Sequence, residues 1–252
     1  EETGRKIEEV IVTAERREAS IQDTSMSITA FTTEFMDDFG IRNQEDLQNF
    51  VPATTIQPYD ATIRGVGRNF RALGGDPGVA VYMNGVYSED LLTATAQTFW
   101  DVSRVEVLRG PQGTLYGRNA VGGAINILYK KPQQEMDWSI KSIMGNAGQL
   151  ESYGMLNGAL SDTVSARVNF ALRNRDGAVQ ELGDGQATDG LGVKNFNGQL
   201  QWDPSDRLSV NVRHNGMRTD RPVGGANGGG LAVLNEEGEA SRNYHALVPG
   251  YR

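Results

Sequence analysis

Beyond residue 135 the chain alternates apolar and polar positions with a period of two. In "SARVNFALR", Ala166, Val168, Phe170 and Leu172 share one face, with Ser165, Arg167, Asn169 and Arg173 on the other. "DRLSVNVRH" sets Leu208, Val210 and Val212 against Arg207, Ser209, Asn211 and Arg213. "FNGQLQW" sets Phe196, Leu200 and Trp202 against Asn197, Gln199 and Gln201. "MDWSIKSIM" gives Met136, Trp138, Ile140 and Met144. Strict alternation is the mark of a strand with one apolar face. "ESYGMLNGAL" is weaker, since both Leu156/Leu160 and Tyr153/Met155 could claim the apolar face.

The first half has another pattern. "MSITAF" reads as a strand and "TTEFMDDFG" as a short helix, with Thr32 or Thr33 at its cap and Gly40 past its end. "NQEDLQNFVP" reads as a second helix, capped by Asn43 with Asp46 three residues on and stopped by Pro52. "ATIRGVG", "GVAVYMNGVY", "VSRVEVLRG" and "GGAINILYK" read as four short strands between Gly-rich turns. Together they make a small α+β unit ending near Pro132. Ahead of it, the β-branched run in "EEVIVTA" (Glu8 to Ala14) is either an edge strand or a mobile segment that pairs with another protein's sheet edge.

Five glycines in "VSRVEVLRGPQGTLYGRNAVGGAINI" raise the question of a phosphate cradle. A P-loop needs G-x-x-x-x-G-K-[ST]; here Gly113 and Gly117 are one residue too close, and Arg118-Asn119 replaces Lys-Ser/Thr. The dinucleotide pattern fails too, at this stretch and at "GVGRNF". Gly110, Gly113, Gly117, Gly122 and Gly123 are therefore read as structural.

Composition narrows the remaining classes. A net charge of -8 argues against a nucleic-acid partner, which wants a concentrated basic face. There is no cysteine, and His214 and His245 lack ligand spacing, so neither a thiol nucleophile nor a protein-held metal is expected. No catalytic motif is present, so the expectation is a non-enzyme without cofactors. No run of about 18 apolar residues exists, which excludes a transmembrane helix but not a barrel.

The connections help decide. Short turns at 161–163 and 203–206 trade with longer polar loops, most clearly 174–194, and this alternation is expected of an outer-membrane barrel. The rival is a soluble β-rich periplasmic binding or adhesion module, which would need a helix or second sheet to cover its apolar face. Five strands cannot close a membrane barrel, and an open sheet would leave backbone unpaired in lipid. The expectation is therefore an N-terminal piece of a larger protein.

"VEVLRGPQGTLYGRNAVGGAINI", with "IRGVG" (63–67) and "VAVYMNGVY" (79–87), resembles the plug domain of TonB-dependent outer-membrane receptors. "EEVIVTA" resembles the TonB box that precedes that plug. The likeness covers about residues 8 to 130. It implies an N-terminal segment 1–24 with the box at 8–14, a plug at 25–132, and the first strands of a transmembrane β-barrel at 133–252. The family's barrel has 22 strands, so about five would be present here and roughly seventeen would follow. About seven residues precede the box, which implies a transporter without the family's periplasmic signalling domain.

The resemblance also implies function. The family takes up a scarce ligand, usually a ferric siderophore, otherwise cobalamin, a carbohydrate or another nutrient, across the outer membrane of a Gram-negative bacterium. Energy comes from the inner-membrane proton gradient. The implied partners are TonB with its inner-membrane energising complex, outer-membrane lipid and lipopolysaccharide, and the small-molecule ligand. Glu9, Val10, Ile11, Val12, Thr13 and Ala14 would bind TonB by strand addition, being poorly packed without it. Arg64 and Arg109 match family arginines that meet glutamates on the barrel's inner wall. Tyr59, Arg68, Asn69, Arg71 and Tyr87, in apical plug loops, are candidates for ligand contact. On the wall, Met136, Trp138, Val168, Phe170, Leu172, Leu200, Trp202, Leu208 and Val210 would face lipid. Arg167, Asn169, Arg173, Asn211 and Arg213 would face the lumen.

Overall fold

The computed structural model describes residues 11–12, 19–20, 24, 26–57, 60–68, 76–88, 97–177 and 190–220. The chain falls into two compact units, 1–131 and 132–252.

The first unit begins with two paired two-residue strands, β1 (Ile11–Val12) and β2 (Ala19–Ser20). Its main sheet contains β3 (Ile28–Thr32), β6 (Val79–Met83), β7 (Val86–Ser88), β8 (Val102–Arg109) and β9 (Gly123–Tyr129). Their order is β3-β8-β9-β6-β7, with β6 and β9 parallel and the other neighbours antiparallel. A separate pair, β4 (Thr54–Gln57) and β5 (Asp60–Ile63), was not foreseen at β4.

Both faces of the main sheet are buried, which suits its near-continuous apolar runs. On one face Val79, Val81, Val105, Val107, Ile125 and Ile127 pack with Phe31, Met36 and Leu47. On the other, Ala80, Tyr82, Leu108 and Ala124 pack with Tyr116, Ala120 and Val12. Each fully buried isoleucine or valine contributes about 1.5–3 kcal/mol. The second face also buries a charge. Glu106 is fully inaccessible and accepts from Arg104 Nε at 2.8 Å and Asn126 Nδ2 at 3.2 Å.

The local signals mostly hold. Thr32 caps the helix Thr33–Asp38 by accepting from the Phe35 amide, and Gly40 follows at φ 66°. The second helix, Gln44–Asn49, carries the Asn43/Asp46 capping box but is 3₁₀ rather than α. Its closing bond runs from the Phe50 amide to the Leu47 carbonyl, the i→i+3 spacing that suits so short a segment. "GVAVYMNGVY" is a hairpin, not one strand: Asn84 and Gly85 take φ 48° and 79°, as a type I′ turn requires.

The second unit is a single antiparallel sheet in chain order. Its strands are β10 (Asp137–Met144), β11 (Leu150–Ser161), β12 (Val164–Arg175), β13 (Leu191–Ser205) and β14 (Leu208–Asp220). Two-residue turns, 162–163 and 206–207, alternate with the longer connections 145–149 and 176–190. Pro204, which lacks a donor for the ladder, sits where the β13–β14 register shifts between Trp202 and Ser205.

Register carries one face across the wall. Trp138, Leu156, Val168 and Gly198 form one row, and Ile140, Gly154, Phe170 and Phe196 the next. This face is apolar and exposed: Trp138 is 66% accessible, Phe170 42% and Phe196 52%. The opposite face is polar and buried, with Arg167 at 3%, Asn169 at 4% and Gln199 at 3%. On β11, Leu156 and Leu160 belong to the exposed apolar face, while Tyr153 and Met155 lie buried beside Glu151 and Asn157. The sheet is inside out relative to a water-soluble fold.

The apolar band has the right height. From Val164 to Leu172 it covers about 27 Å of strand, or roughly 20 Å of height at a 40° tilt. Its upper limit steps down from Met144 and Leu150 through Leu172 and Phe196 to Val212 on β14. Such a stagger across hydrogen-bonded rows is what tilted strands give.

Candidate functional site

Glycine brings three chain segments of the first unit together. The Gly122 amide donates to the Gly78 carbonyl at 2.8 Å, and a Cβ on Gly122 would lie 2.6 Å from the Val66 carbonyl oxygen. A Cβ on Gly123 would lie 2.2 Å from the Leu108 carbonyl oxygen. Backbone approach this close excludes any side chain. Gly113 differs from the expectation: nothing lies within 4 Å of its Cβ position, and its φ is not positive.

Tyr59, Asn69 and Arg71 lie outside the described residues, whereas Arg68 and Tyr87 are within them. The Arg68 amide donates to Asp60 Oδ1 at 3.3 Å, and its buried Nε has no hydrogen-bond partner. The Tyr87 hydroxyl accepts from Asn119 Nδ2 at 2.8 Å, while Asn119 also donates to Asp76 Oδ1 at 3.4 Å. Tyr87 packs on Tyr82 with ring centres 5.6 Å apart, and Tyr82 meets Tyr116 at 5.0 Å. The Tyr82 hydroxyl donates to the Tyr116 carbonyl. Asn119 and Asp76, which orient Tyr87, were missed from sequence. The signal for Asn119 was there: Asn tolerates the left-handed backbone, and its φ is 68°.

Arg64 and Arg109 converge on Ser27. Arg64 donates from Nη2 to Ser27 Oγ at 3.2 Å, and the Arg109 amide donates to the Ser27 carbonyl at 2.9 Å. Arg64 Nη1 lies 3.6 Å from the Cβ position of Gly110, the residue after Arg109. Arg109 Nε is buried without a hydrogen-bond partner. Neither arginine makes an ion pair among the described residues. A guanidinium group suits a carboxylate, which it can hold bidentately.

Of the N-terminal candidates, Glu9, Val10, Thr13 and Ala14 lie outside the described residues. Ile11 and Val12 form β1, and Val12 is 1% exposed within the second-face core. Poor packing was expected here, and for Val12 that is overturned. Its neighbours in space are far away in sequence, so no local pattern announces the docking.

The buried face of the second unit is a polar network. Glu151 accepts from Gln149 Nε2 at 2.8 Å and from the Tyr153 hydroxyl, and lies 3.5 Å from Arg173 Nε. Asn197 donates to Asn169 Oδ1 at 3.0 Å and accepts from Arg213 Nη2 at 3.1 Å. Gln201 links Ser209 and Asn211 at 2.7 and 3.0 Å. These amides and guanidinium groups suit a hydrated lumen, where they can bind polar solutes. Among the described residues no cluster of three His, Cys, Asp or Glu side chains could hold a metal ion.

Comparison with known proteins fits this geometry. Residues 20–124 match the TonB-dependent Receptor Plug Domain family. The ferripyoverdine receptor of Pseudomonas aeruginosa is 31% identical over 172 residues, covering 66% of this chain and 20% of that protein. The iron-regulated outer membrane virulence protein of Vibrio cholerae is 26% identical over 259 residues, covering 95% and 39%. The chain thus spans between a fifth and two fifths of these relatives' lengths. Among solved structures, the ferric yersiniabactin uptake receptor of Yersinia pestis superposes with a TM-score of 0.69 at 26% identity, over 77% of this chain and 32% of that one. The ferripyoverdine receptor bound to ferripyoverdine gives 0.70 at 21% identity, over 95% and 31%, a likeness of fold. Residues 20–124 are thus a TonB-dependent receptor plug domain, and the strands that follow it are similar to those of outer-membrane receptors that carry this domain.

Proposed function

We propose that the protein takes up a ferric siderophore across the outer membrane, driven through TonB by the inner-membrane proton gradient. The observation that carries this reading is the pairing of a glycine-crossed plug with an inside-out wall whose buried face is polar. Receptors named for ferripyoverdine and for catecholate siderophores, from Pseudomonas aeruginosa and Escherichia coli, support the class of ligand. The ferric ion is cargo in this reading, and no catalysis is assigned.

Parts of the chain take roles accordingly. Residues 1–24 carry the TonB-binding segment Glu9 to Ala14, 25–132 the plug and 133–252 the wall. Arg64 and Arg109 anchor the plug through wall carboxylates. Tyr59, Arg68, Asn69, Arg71 and Tyr87 contact the ligand, and aromatic and cationic groups suit an anionic or aromatic chelate. The test is uptake of radiolabelled ferric chelates by cells with and without TonB, beside direct binding. Val10→Pro removes an amide donor from the pairing segment. It should abolish uptake while surface binding of the same chelate persists. Uptake that survives loss of TonB would overturn the reading.

A further inference from the structure

The backbone bond from Gly122 to Gly78 pins together the two segments that carry Asn119 and Asp76, and the Gln112 amide holds the Ala120 carbonyl at 2.8 Å. Asn119 takes a φ of 68°, a conformation that asparagine and aspartate tolerate better than most residues. Its Nδ2 donates to Asp76 Oδ1 at 3.4 Å and to the Tyr87 hydroxyl at 2.8 Å. An ionised carboxylate only accepts, so the Asp76 contact fixes which end of the Asn119 amide is nitrogen. The Tyr87 oxygen is therefore the acceptor in its bond with Asn119. A phenol has one hydrogen, and this one is turned away from Asn119. The neighbouring tyrosine is wired the other way. The Tyr82 hydroxyl donates to the Tyr116 carbonyl, and the Tyr82 ring packs 5.6 Å from that of Tyr87 and helps to hold it.

We propose that Asn119 and Asp76 are positioning residues that make Tyr87 a hydrogen-bond donor to the ligand, which presents an oxygen acceptor at that point. An anionic oxygen, such as one of a catecholate or hydroxamate group, suits the position best, because a hydroxyl bonds more strongly to a charged acceptor than to a neutral one. Asn119 stands between the Tyr87 hydroxyl and the Asp76 carboxylate and takes up that carboxylate with its own amide. A ligand that offers only a donor there meets a hydroxyl whose accepting side is already engaged. This rests on Tyr87 contacting a ferric chelate, as the proposed function has it.

The test exchanges the two partners in the intact detergent-solubilised receptor. Asp76→Asn with Asn119→Asp keeps the charge and can keep both bonds, but it puts the carboxylate beside Tyr87, which must then donate to it. This double variant and Tyr87→Phe should each bind a ferric tris-catecholate or tris-hydroxamate about 10- to 100-fold more weakly than wild type, the effect of one hydrogen bond to a charged group. A network that only supports the fold would bind as wild type does after the exchange. The C–O stretch of Tyr87, isolated by ring-13C labelling with Tyr87→Phe as reference, reads the bond direction without any ligand. It should fall on the exchange, because the hydroxyl then gives its hydrogen to a carboxylate. Wild-type affinity in the folded double variant or in Tyr87→Phe would overturn the proposal. So would a wild-type stretch already as low as that of the double variant, since the hydrogen would then be spent inside the protein. Should the exchange prevent folding, the affinity of Tyr87→Phe decides. If wild type binds neither chelate, the ferric-siderophore reading falls, and the stretch alone decides the direction of the Tyr87 bond.

Discussion

The two sheets use the same period of two and put it to opposite ends. In the plug, Ile125 and Ile127 point into one core and Ala124 into another, while Glu106 and Asn126 are polar exceptions bonded to each other. In the wall the polar face is the buried one, and Phe170 and Phe196 stand outside. Alternation alone therefore fixes which residues share a face, and the surrounding medium fixes which face is buried. The two sheets also use glycine differently. Gly123 makes room for a carbonyl of the neighbouring strand, and Gly154 for an aromatic ring.

The largest expected effect comes from Gly123→Ala. Its Cβ would sit 2.2 Å from the Leu108 carbonyl oxygen, at a φ of 154° that alanine resists. Backbone cannot yield as a side-chain tip can, so the cost should be about 3–5 kcal/mol. Hydrogen exchange in β8 and β9 of the detergent-solubilised receptor reads it. Undiminished protection there would mean that the crossing is looser than drawn.

Phe170→Arg comes next and bears on the wall alone. On a lipid-facing strand near mid-membrane it should cost about 2–4 kcal/mol, measured by folding into lipid vesicles. On an aqueous surface the same change stays within about 0.5 kcal/mol. Spin labels along 164–173 supply the direction: collision with an apolar relaxant should peak at Ala166, Val168, Phe170 and Leu172. Antiphase peaks would turn the sheet around and end the barrel assignment.

These contrasts show what was legible. Faces of β12, β13 and β14 could be read because arginines and asparagines alternate cleanly with Val, Leu and Phe. On β11 a tyrosine and a methionine share the polar face, so local hydropathy could not choose, and only register to Val168 and Phe170 does. In the plug, capping residues placed both short helices but could not distinguish 3₁₀ from α over six residues. Asn84-Gly85 was a readable hairpin signal that a continuous apolar run obscured. The docking of Val12, the meeting of Arg64 and Arg109 at Ser27, and the Asn119–Tyr87 bond depend on long-range closure. No window of sequence contains them.

A smaller effect is expected on the buried face of the wall. Asn197→Leu removes an amide that donates to Asn169 and accepts from Arg213. Each lost neutral bond is worth about 1 kcal/mol, and the bond to a charged donor somewhat more. A total near 2 kcal/mol in the vesicle-folding assay fits a face where protein groups satisfy one another. A change near zero would mean that water replaces both bonds at once, making the lumen wetter than the packing indicates.

The smallest effect separates the two uses of glycine. Gly154→Ala places its Cβ 2.4 Å from Cε1 of Phe170, a contact as short in number as that at Gly123. Here the obstacle is the edge of an exposed ring with open space beyond it, and the backbone at Gly154 is not among the positive-φ residues. Rotation of Phe170 should relieve the clash at a cost below about 1 kcal/mol. Alanine also adds apolar surface on the lipid side and recovers some of the entropy that glycine loses on folding, which offsets part of that cost. Folding free energies of the Gly154→Ala and Gly123→Ala proteins, measured in the same vesicles, should therefore differ by at least about 2 kcal/mol. Equal losses would mean that the Phe170 ring is held as firmly as the plug's backbone, and that the outer face is a packed interface rather than one bathed in fluid lipid.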